Sequence, residues 1–153
     1  MRKSPLQLKE YYFPIVSVVA NPAFMKEDFD PLVSFEDINV KSDLFIDKNN
    51  PNNFQVQLNI NIESKADKPS PYNISILCLG MFEADESFPD KEKLVRITGT
   101  SILYSAARDF LLMVMSRTPL KKPAMLPSVS FLVEPKEQQA SVDKPKKRKK
   151  SLN

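Results

Sequence analysis

A ten-residue stretch in the first half of the chain decides the fold class. Residues 54–63 read Phe-Gln-Val-Gln-Leu-Asn-Ile-Asn-Ile-Glu, so apolar and polar residues alternate at every step. Successive side chains of a β-strand point to opposite faces of its sheet, and this pattern therefore predicts a strand with one buried and one hydrated face. The sequence thus predicts a sheet with a core on one side.

Three further segments predict strands around this one. Residues 38–46 largely alternate, and the polar turn 47–53 joins them to the first stretch as an antiparallel hairpin. Residues 72–83 follow a second turn and are apolar on both faces from 76 to 82, which predicts a central strand or one covered on both sides. Residues 11–20 are rich in β-branched and aromatic side chains. Four strands joined by short or medium loops predict an antiparallel meander.

The second half of the chain changes to a helical period. Residues 94–116 repeat apolar side chains at three- and four-residue spacing over most of the helix circumference, which predicts one long helix covered on more than one side. The sheet covers one face only, so we expect a second chain on the other. The alternative is one wide contact with the core and a few exposed apolar residues. We predict that the subunit contact involves Tyr104, Arg108, Leu112 and Met115.

A proline-rich apolar loop follows the helix. Pro119, Pro123 and Pro127 forbid helix formation and leave backbone groups unpaired. Such a loop can line a surface groove, and the alternative is ordinary packing of the loop against the core. The predicted groove residues are Leu120, Met125, Leu126, Val129 and Phe131.

The basic charge of the chain is concentrated at its end. Residues 136–153 hold seven Lys and Arg and two acidic residues, a net charge of +5, and the whole chain carries +3, so the remaining residues carry −2. We expect one folded domain over residues 1–135 and a disordered basic tail over 136–153. The tail is either a solubilising segment or a site for non-specific binding to nucleic acid. The body has no basic face and no aromatic platform for a specific nucleic-acid site.

The composition excludes several kinds of chemistry. The chain has no His, one Cys and two Gly in 153 residues. A His- or Cys-based metal site, a His-dependent nucleophile and a glycine-rich phosphate loop are therefore not expected, and we predict no enzyme activity and no cofactor. A single Cys fits a reducing compartment, and no apolar run is long enough to span a membrane. We expect a cytoplasmic protein with no insertion into the membrane.

Several segments resemble the SecB-type chaperones. Residues 99–110 (GTSILYSAARDF) and 125–131 (MLPSVSF) are similar to the long helix and crossover loop of that family. The opening strand, from Tyr12 to Pro22, is similar to the family's first strand. The ordered set covers residues 6–132 and implies an α+β fold, a four-stranded antiparallel sheet followed by one long helix packed on it.

The resemblance also implies a function and an assembly. Family members hold unfolded polypeptides along apolar grooves and assemble as dimers of dimers through their long helices. Some deliver exported preproteins to the SecA motor, and others protect an antitoxin. The expected function is an ATP-independent chaperone that keeps clients competent for folding or translocation. The alternative is a dedicated partner of a single client such as an antitoxin, and a ribosome- or nucleic-acid-associated role for the tail is a third.

Two departures from the family pattern limit what is carried over. Family members continue into a second amphipathic helix, whereas Glu134 and Pro135 break the pattern here, so part of the groove wall is expected to be missing. Export chaperones present acidic residues on the first strand for SecA, and residues 15–20 contain none. This argues against coupling to SecA and leaves client holding as the expectation.

Overall fold

The computed structural model describes residues 1–132 and contains a sheet followed by a helical segment. The predicted domain boundary at residue 135 and the tail 136–153 lie outside the described residues. The strands are β1 (Leu6–Ala20), β2 (Ile38–Ile46), β3 (Asn53–Ile62) and β4 (Tyr72–Ala84), and the helices are α1 (Lys91–Leu94) and α2 (Thr100–Met115), joined by a π-helical segment, Val95–Gly99. This arrangement confirms the predicted α+β class.

All neighbouring strands are antiparallel, in the order β1-β4-β3-β2. The predicted meander is correct for β2, β3 and β4 and wrong for β1, which pairs with β4 instead of β2. In this order β4 is a central strand, with β1 on one edge and β3 on the other, as its apolar pattern predicted. The connection between β1 and β2, which contains two short 3-10 turns, therefore passes to the far edge of the sheet and creates a Greek-key order.

Strand β1 is longer than the sequence predicted and is irregular in its middle. Its pairing with β4 shifts register between Tyr12 and Ile15, and Phe13 and Pro14 lie in that interval. Proline has no N–H to donate to the ladder, so the break falls where pairing is weakest. The Phe13 ring stacks on Phe110 of α2, with centroids 4.3 Å apart. The irregularity thus fixes β1 to the helix.

The core lies between one face of the sheet and α2. Every second residue of β3 and β4 is buried on this face. Helix α2 inserts a stripe at four-residue spacing, from Leu103 through Ala107 and Leu111 to Met115. Thr100 is buried at the start of the helix, and its hydroxyl lies 3.0 Å from the hydroxyl of Ser42 on β2. This contact satisfies the buried polar group and fixes the helix start above the β2 edge.

The opposite face of the sheet carries no second layer within residues 1–132. Leu77, Leu79 and Met81 of β4 are half-buried there, between polar residues of β3 and exposed Tyr12 and Ile15 of β1. The central position predicted for β4 is confirmed, whereas only one of its faces is covered by a helix.

Candidate functional site

The loop after α2 is anchored first by a buried tyrosine of the sheet. The Tyr72 hydroxyl donates to the carbonyl of Lys122 at 2.9 Å and lies 2.9 Å from the Thr118 hydroxyl. Leu120 and Ala124 are buried beside it, at 7% and 4% exposure. The first part of the loop is therefore packed on the end of the core and held there by these hydrogen bonds.

The middle of the loop forms a short parallel bridge with the connection between β1 and β2. The Val33 N–H donates to the carbonyl of Met125 at 2.9 Å, and the Met125 N–H donates to Pro31 at 2.6 Å. The next donor in this register would be residue 127, which is a proline without an N–H. The bridge stops there, and Leu32 and Met125 remain exposed beside it.

The end of the loop is fixed by a second buried tyrosine. The Tyr104 hydroxyl of α2 donates to the carbonyl of Pro127 at 2.7 Å, and its ring packs against the edge of Phe131 with centroids 5.7 Å apart. Burial raises the pKa of Tyr104, so the phenol stays protonated and keeps donating at neutral pH. Helix α2 thereby sets where the chain runs after Pro127.

An open groove with apolar side chains on both walls and polar side chains between them lies between this loop end and the start of β2; we call it the apolar groove. Its volume is about 460 Å³, and Phe35 projects into solvent at its rim with 66% exposure. Val129 and Phe131 are half-buried on one wall, and Ile38 and Val40 are half-buried on the other. The apolar groove is defined by Phe35, Glu36, Ile38, Asn39, Val40, Val129, Ser130 and Phe131.

The free edge of β2 runs along the apolar groove. Asp47 donates its N–H to Asn53 at 3.0 Å, one step beyond the pair of Ile46 with Phe54. Hydrogen-bonded and non-bonded pairs alternate along an antiparallel ladder, so the even-numbered residues of β2 direct their backbone groups away from β3. β2 is the last strand of the sheet, and these N–H and C=O groups face outward beside Ile38 and Val40.

Acidic residues gather at one end of the apolar groove. A second cavity of about 230 Å³ there is lined by Asp30, Asp37, Glu63 and Lys68, among others. Lys68 forms an ion pair with Asp37 at 2.6 Å. That hydrogen bond raises the pKa of Lys68, and the charges of Asp37, Glu36 and Asp67 raise it further. We call Asp30, Glu36, Asp37, Glu63 and Asp67 the acidic cluster.

The structure divides the five groove residues predicted from the sequence. Val129 and Phe131 line the apolar groove, and Met125 is 42% exposed on the same loop. Leu120 and Leu126 are buried, at 7% and 3% exposure, because the loop packs them onto the end of the core. The expectation that Leu120 and Leu126 line a surface groove is therefore wrong, and these two residues follow the alternative, packing of the loop against the core.

The four residues predicted at a subunit contact are divided in the same way. Tyr104 and Met115 are 3% and 1% exposed within a single chain, so these side chains are unavailable to a partner. Arg108 and Leu112 are half-buried, and within residues 1–132 the buried Nε of Arg108 has no hydrogen-bond partner. Met113, which the sequence analysis did not select for this contact, is 57% exposed.

Sequence reasoning missed one wall of the apolar groove. Residues 23–36 show no sustained strand or helix period, yet Phe35 begins a 3-10 turn, Phe35–Asp37, that leads into β2. An aromatic residue in a segment rich in acidic residues was the available signal.

Two further classes of site are absent from the described part of the chain. Residues 1–132 contain no cluster of three or more His, Cys, Asp or Glu side chains placed to hold a metal. No helix among them combines the length and apolarity needed to cross a membrane. Cys78 is a free thiol with 0% exposure, and burial raises its pKa to about 11.

Comparison with known proteins rests on the three-dimensional fold. No protein-family model matches the chain, and no curated protein matches its sequence. The structure is similar to that of the Mycobacterium tuberculosis Rv1957 SecB-like chaperone in complex with a ChAD peptide from the Rv1956 HigA1 antitoxin, with a TM-score of 0.56. The fold is SecB-like. The match covers 82% of this chain and 91% of that chain at 14% sequence identity, and it confirms the resemblance read from the sequence.

Proposed function

We propose that this SecB-like protein is an ATP-independent chaperone that holds non-native polypeptide segments in the apolar groove. The carrying observation is an open groove with the solvent-exposed Phe35 at its rim. Large apolar side chains exposed beside a concave surface usually mark a binding site, because exposure to water is unfavourable unless a ligand covers them. Among the described residues, Phe35 belongs neither to the buried core nor to the half-buried side chains packed against it.

The groove and the edge of β2 suit an extended client. A strand added to β2 would pair with the outward backbone groups of that edge, and its alternate side chains would enter the apolar groove. Backbone pairing does not depend on the client sequence, whereas each apolar side chain fully buried contributes about 1.5–3 kcal/mol. The combination favours clients that are unfolded and apolar.

A dedicated partner is the second candidate, and the similar structure favours it specifically. Rv1957 is described in complex with a peptide from an antitoxin. A single cognate client would use the same groove in this protein. Unrelated unfolded chains binding within about tenfold of one another would support the general holdase, and one peptide preferred by 100-fold or more would support the dedicated partner.

We further propose a cytoplasmic homo-oligomer assembled as a dimer of dimers through α2. Its outward side presents Leu112 and the exposed Met113 beside Arg108. A second copy would cover these apolar side chains and offer a partner to the Arg108 guanidinium. The absence of acidic residues from 15–20 argues against SecA as the receiving partner.

Two matched substitutions test the client site. Phe35→Ser removes the rim aromatic of the apolar groove, and Phe45→Ser removes an aromatic of similar exposure (51%, against 66% for Phe35) on the opposite face of the sheet. The wild type and Phe45→Ser should suppress aggregation of a denatured model enzyme without ATP. In a peptide-binding assay, Phe35→Ser should bind an unfolded peptide about tenfold more weakly than they do, which is the equivalent of losing one apolar contact. Equal binding by both variants, or no suppression by the wild type, would overturn the proposal.

A further inference from the structure

The chain leaves the apolar groove 11 residues before its most basic segment begins. Leu132, the last described residue, is 70% exposed next to Phe131 of the groove wall. Another 21 residues follow, and six of the seven residues from 144 to 150 are basic. They are Lys144, Lys146, Lys147, Arg148, Lys149 and Lys150.

The acidic cluster at the groove is complementary in charge to that segment. Lys68 lies among these five carboxylates and is paired with Asp37. Asp30, Glu36 and Glu63 are exposed and have no ion pair within residues 1–132. They can therefore accept further cations without displacing an existing pair.

The linker between Leu132 and Lys144 is long enough to join the two. Its 11 residues, 133–143, can reach at most about 40 Å when fully extended. Glu36 of the acidic cluster lines the same cavity as Phe131. A short tether of this kind holds its end at an effective concentration of the order of millimolar.

We propose that residues 144–150 dock on the acidic cluster and compete with clients for that end of the apolar groove. The inference rests on the proposed function for its consequence, since the docked segment lowers the apparent affinity of clients. A docked affinity in the millimolar range is enough to occupy the site about half of the time at the tethered concentration. Apparent client affinity is then about twofold lower than that of a chain whose tail is neutral. Salt weakens the docking because exposed charges are screened.

A single spin label tests the docking without any client. Ser151→Cys adds an accessible thiol, and Cys78 does not compete for the label because it is 0% exposed with a pKa raised to about 11. In the full-length protein at low salt, a nitroxide at residue 151 should broaden the amide signals of residues 30–37 and 63–68. About 0.5 M salt, which shortens the screening length to roughly 4 Å, should remove the effect.

Two sets of charge variants complete the test. Replacing the six basic residues by Gln should abolish the broadening and raise the affinity for an unfolded peptide about twofold. Combining Asp30→Asn, Glu36→Gln and Glu63→Gln should abolish the broadening as well, whereas the control pair Asp43→Asn and Asp47→Asn, at the other end of β2, should leave it intact.

Broadening that is absent, uniform or centred on Asp43 and Asp47 overturns the inference. Capture of RNA by the tail without groove broadening overturns it as well and assigns the segment to nucleic acid. Groove broadening in a protein that binds no unfolded peptide supports the docking and overturns the proposed function, so the two failures are distinguishable.

Discussion

Gly80 allows α2 to lie close to the sheet, and an added methyl group tests that packing. Gly80 is in the middle of β4, and a Cβ there would lie 2.5 Å and 2.9 Å from the two terminal carbons of Leu103. Leu103 is fully buried, so its side chain can move only against other core side chains. Carbon atoms pack best at about 3.5–4.0 Å, and Leu103 would have to move by about 1 Å. The Gly80→Ala substitution therefore overpacks the contact between α2 and the sheet.

The expected loss of stability follows from two opposing effects. Overpacking a core by one methyl costs about 1–3 kcal/mol, and alanine gains about 0.5–1 kcal/mol over glycine inside a strand. The net expectation for Gly80→Ala is a loss of about 1–2 kcal/mol in the free energy of unfolding. Gly99→Ala is the matched control, since its Cβ would lie 3.2 Å from Val95 in helical backbone. There the gain in helix propensity, about 0.8–1 kcal/mol, should leave the protein unchanged or slightly stabilised.

Urea unfolding of the variants at one protein concentration measures both effects, because oligomer formation makes stability depend on concentration. Leu103→Ala removes the two atoms that Gly80→Ala would meet, and alone it should cost about 2–5 kcal/mol. On that background Gly80→Ala should be neutral or stabilising, because the methyl group fills space. If Gly80→Ala costs the same with and without Leu103, the clash is not the cause and the reasoning is refuted.

Two further predictions concern the helix surface and the buried thiol. The double variant Leu112→Asp with Met113→Asp should reduce the oligomer to smaller species in light scattering. The control Met25→Asp should not, because Met25 is 45% exposed at the end of the 3-10 turn Pro22–Phe24, away from α2. A wild type that is monomeric at micromolar concentration would contradict the assembly. Cys78 should resist a thiol reagent at pH 8 in the native protein and react once urea unfolds it, since it is buried with a pKa raised to about 11; rapid reaction of the native protein would contradict its burial.

The sheet could be predicted from the sequence wherever burial alone sets the pattern. β2 ends where predicted and β3 is shifted by one residue, because each turns one apolar face toward the core and the alternation records it. The position of β1 could not be predicted in the same way. The neighbour of β1 is β4, a central strand, and a long connection leads from β1 to β2 at the other edge of the sheet. The sequence of that connection does not indicate which edge it reaches. Local patterns specify strands, whereas long-range pairing specifies their order.

The helical segment shows a similar limit. Residues 94–116 were predicted as one helix, and the chain is helical from Lys91 to Met115 with a π-helical segment from Val95 to Gly99. The first turn is capped by Asp90, whose side chain accepts from the Lys93 N–H at 3.1 Å. A π-helical turn inserts an extra residue and rotates the buried face, so positions before and after it do not follow one period. The buried stripe of α2 follows the predicted helical period because it lies wholly beyond that insertion, although Met115, its last member, was assigned to the subunit contact.

The candidate site was harder to predict, because an apolar residue in a loop can either be buried in the core or lie exposed at a groove. Leu126 and Met125 are adjacent and equally apolar, yet one is 3% and the other 42% exposed. The difference arises from the bridge to Pro31 and Val33, which fixes the direction in which each side chain points, and that bridge joins segments more than 90 residues apart. Phe35 lies at the groove because the same bridge holds its segment beside the loop. A groove built from two irregular segments is specified by their hydrogen bonds to each other, and no pattern within either segment contains that information.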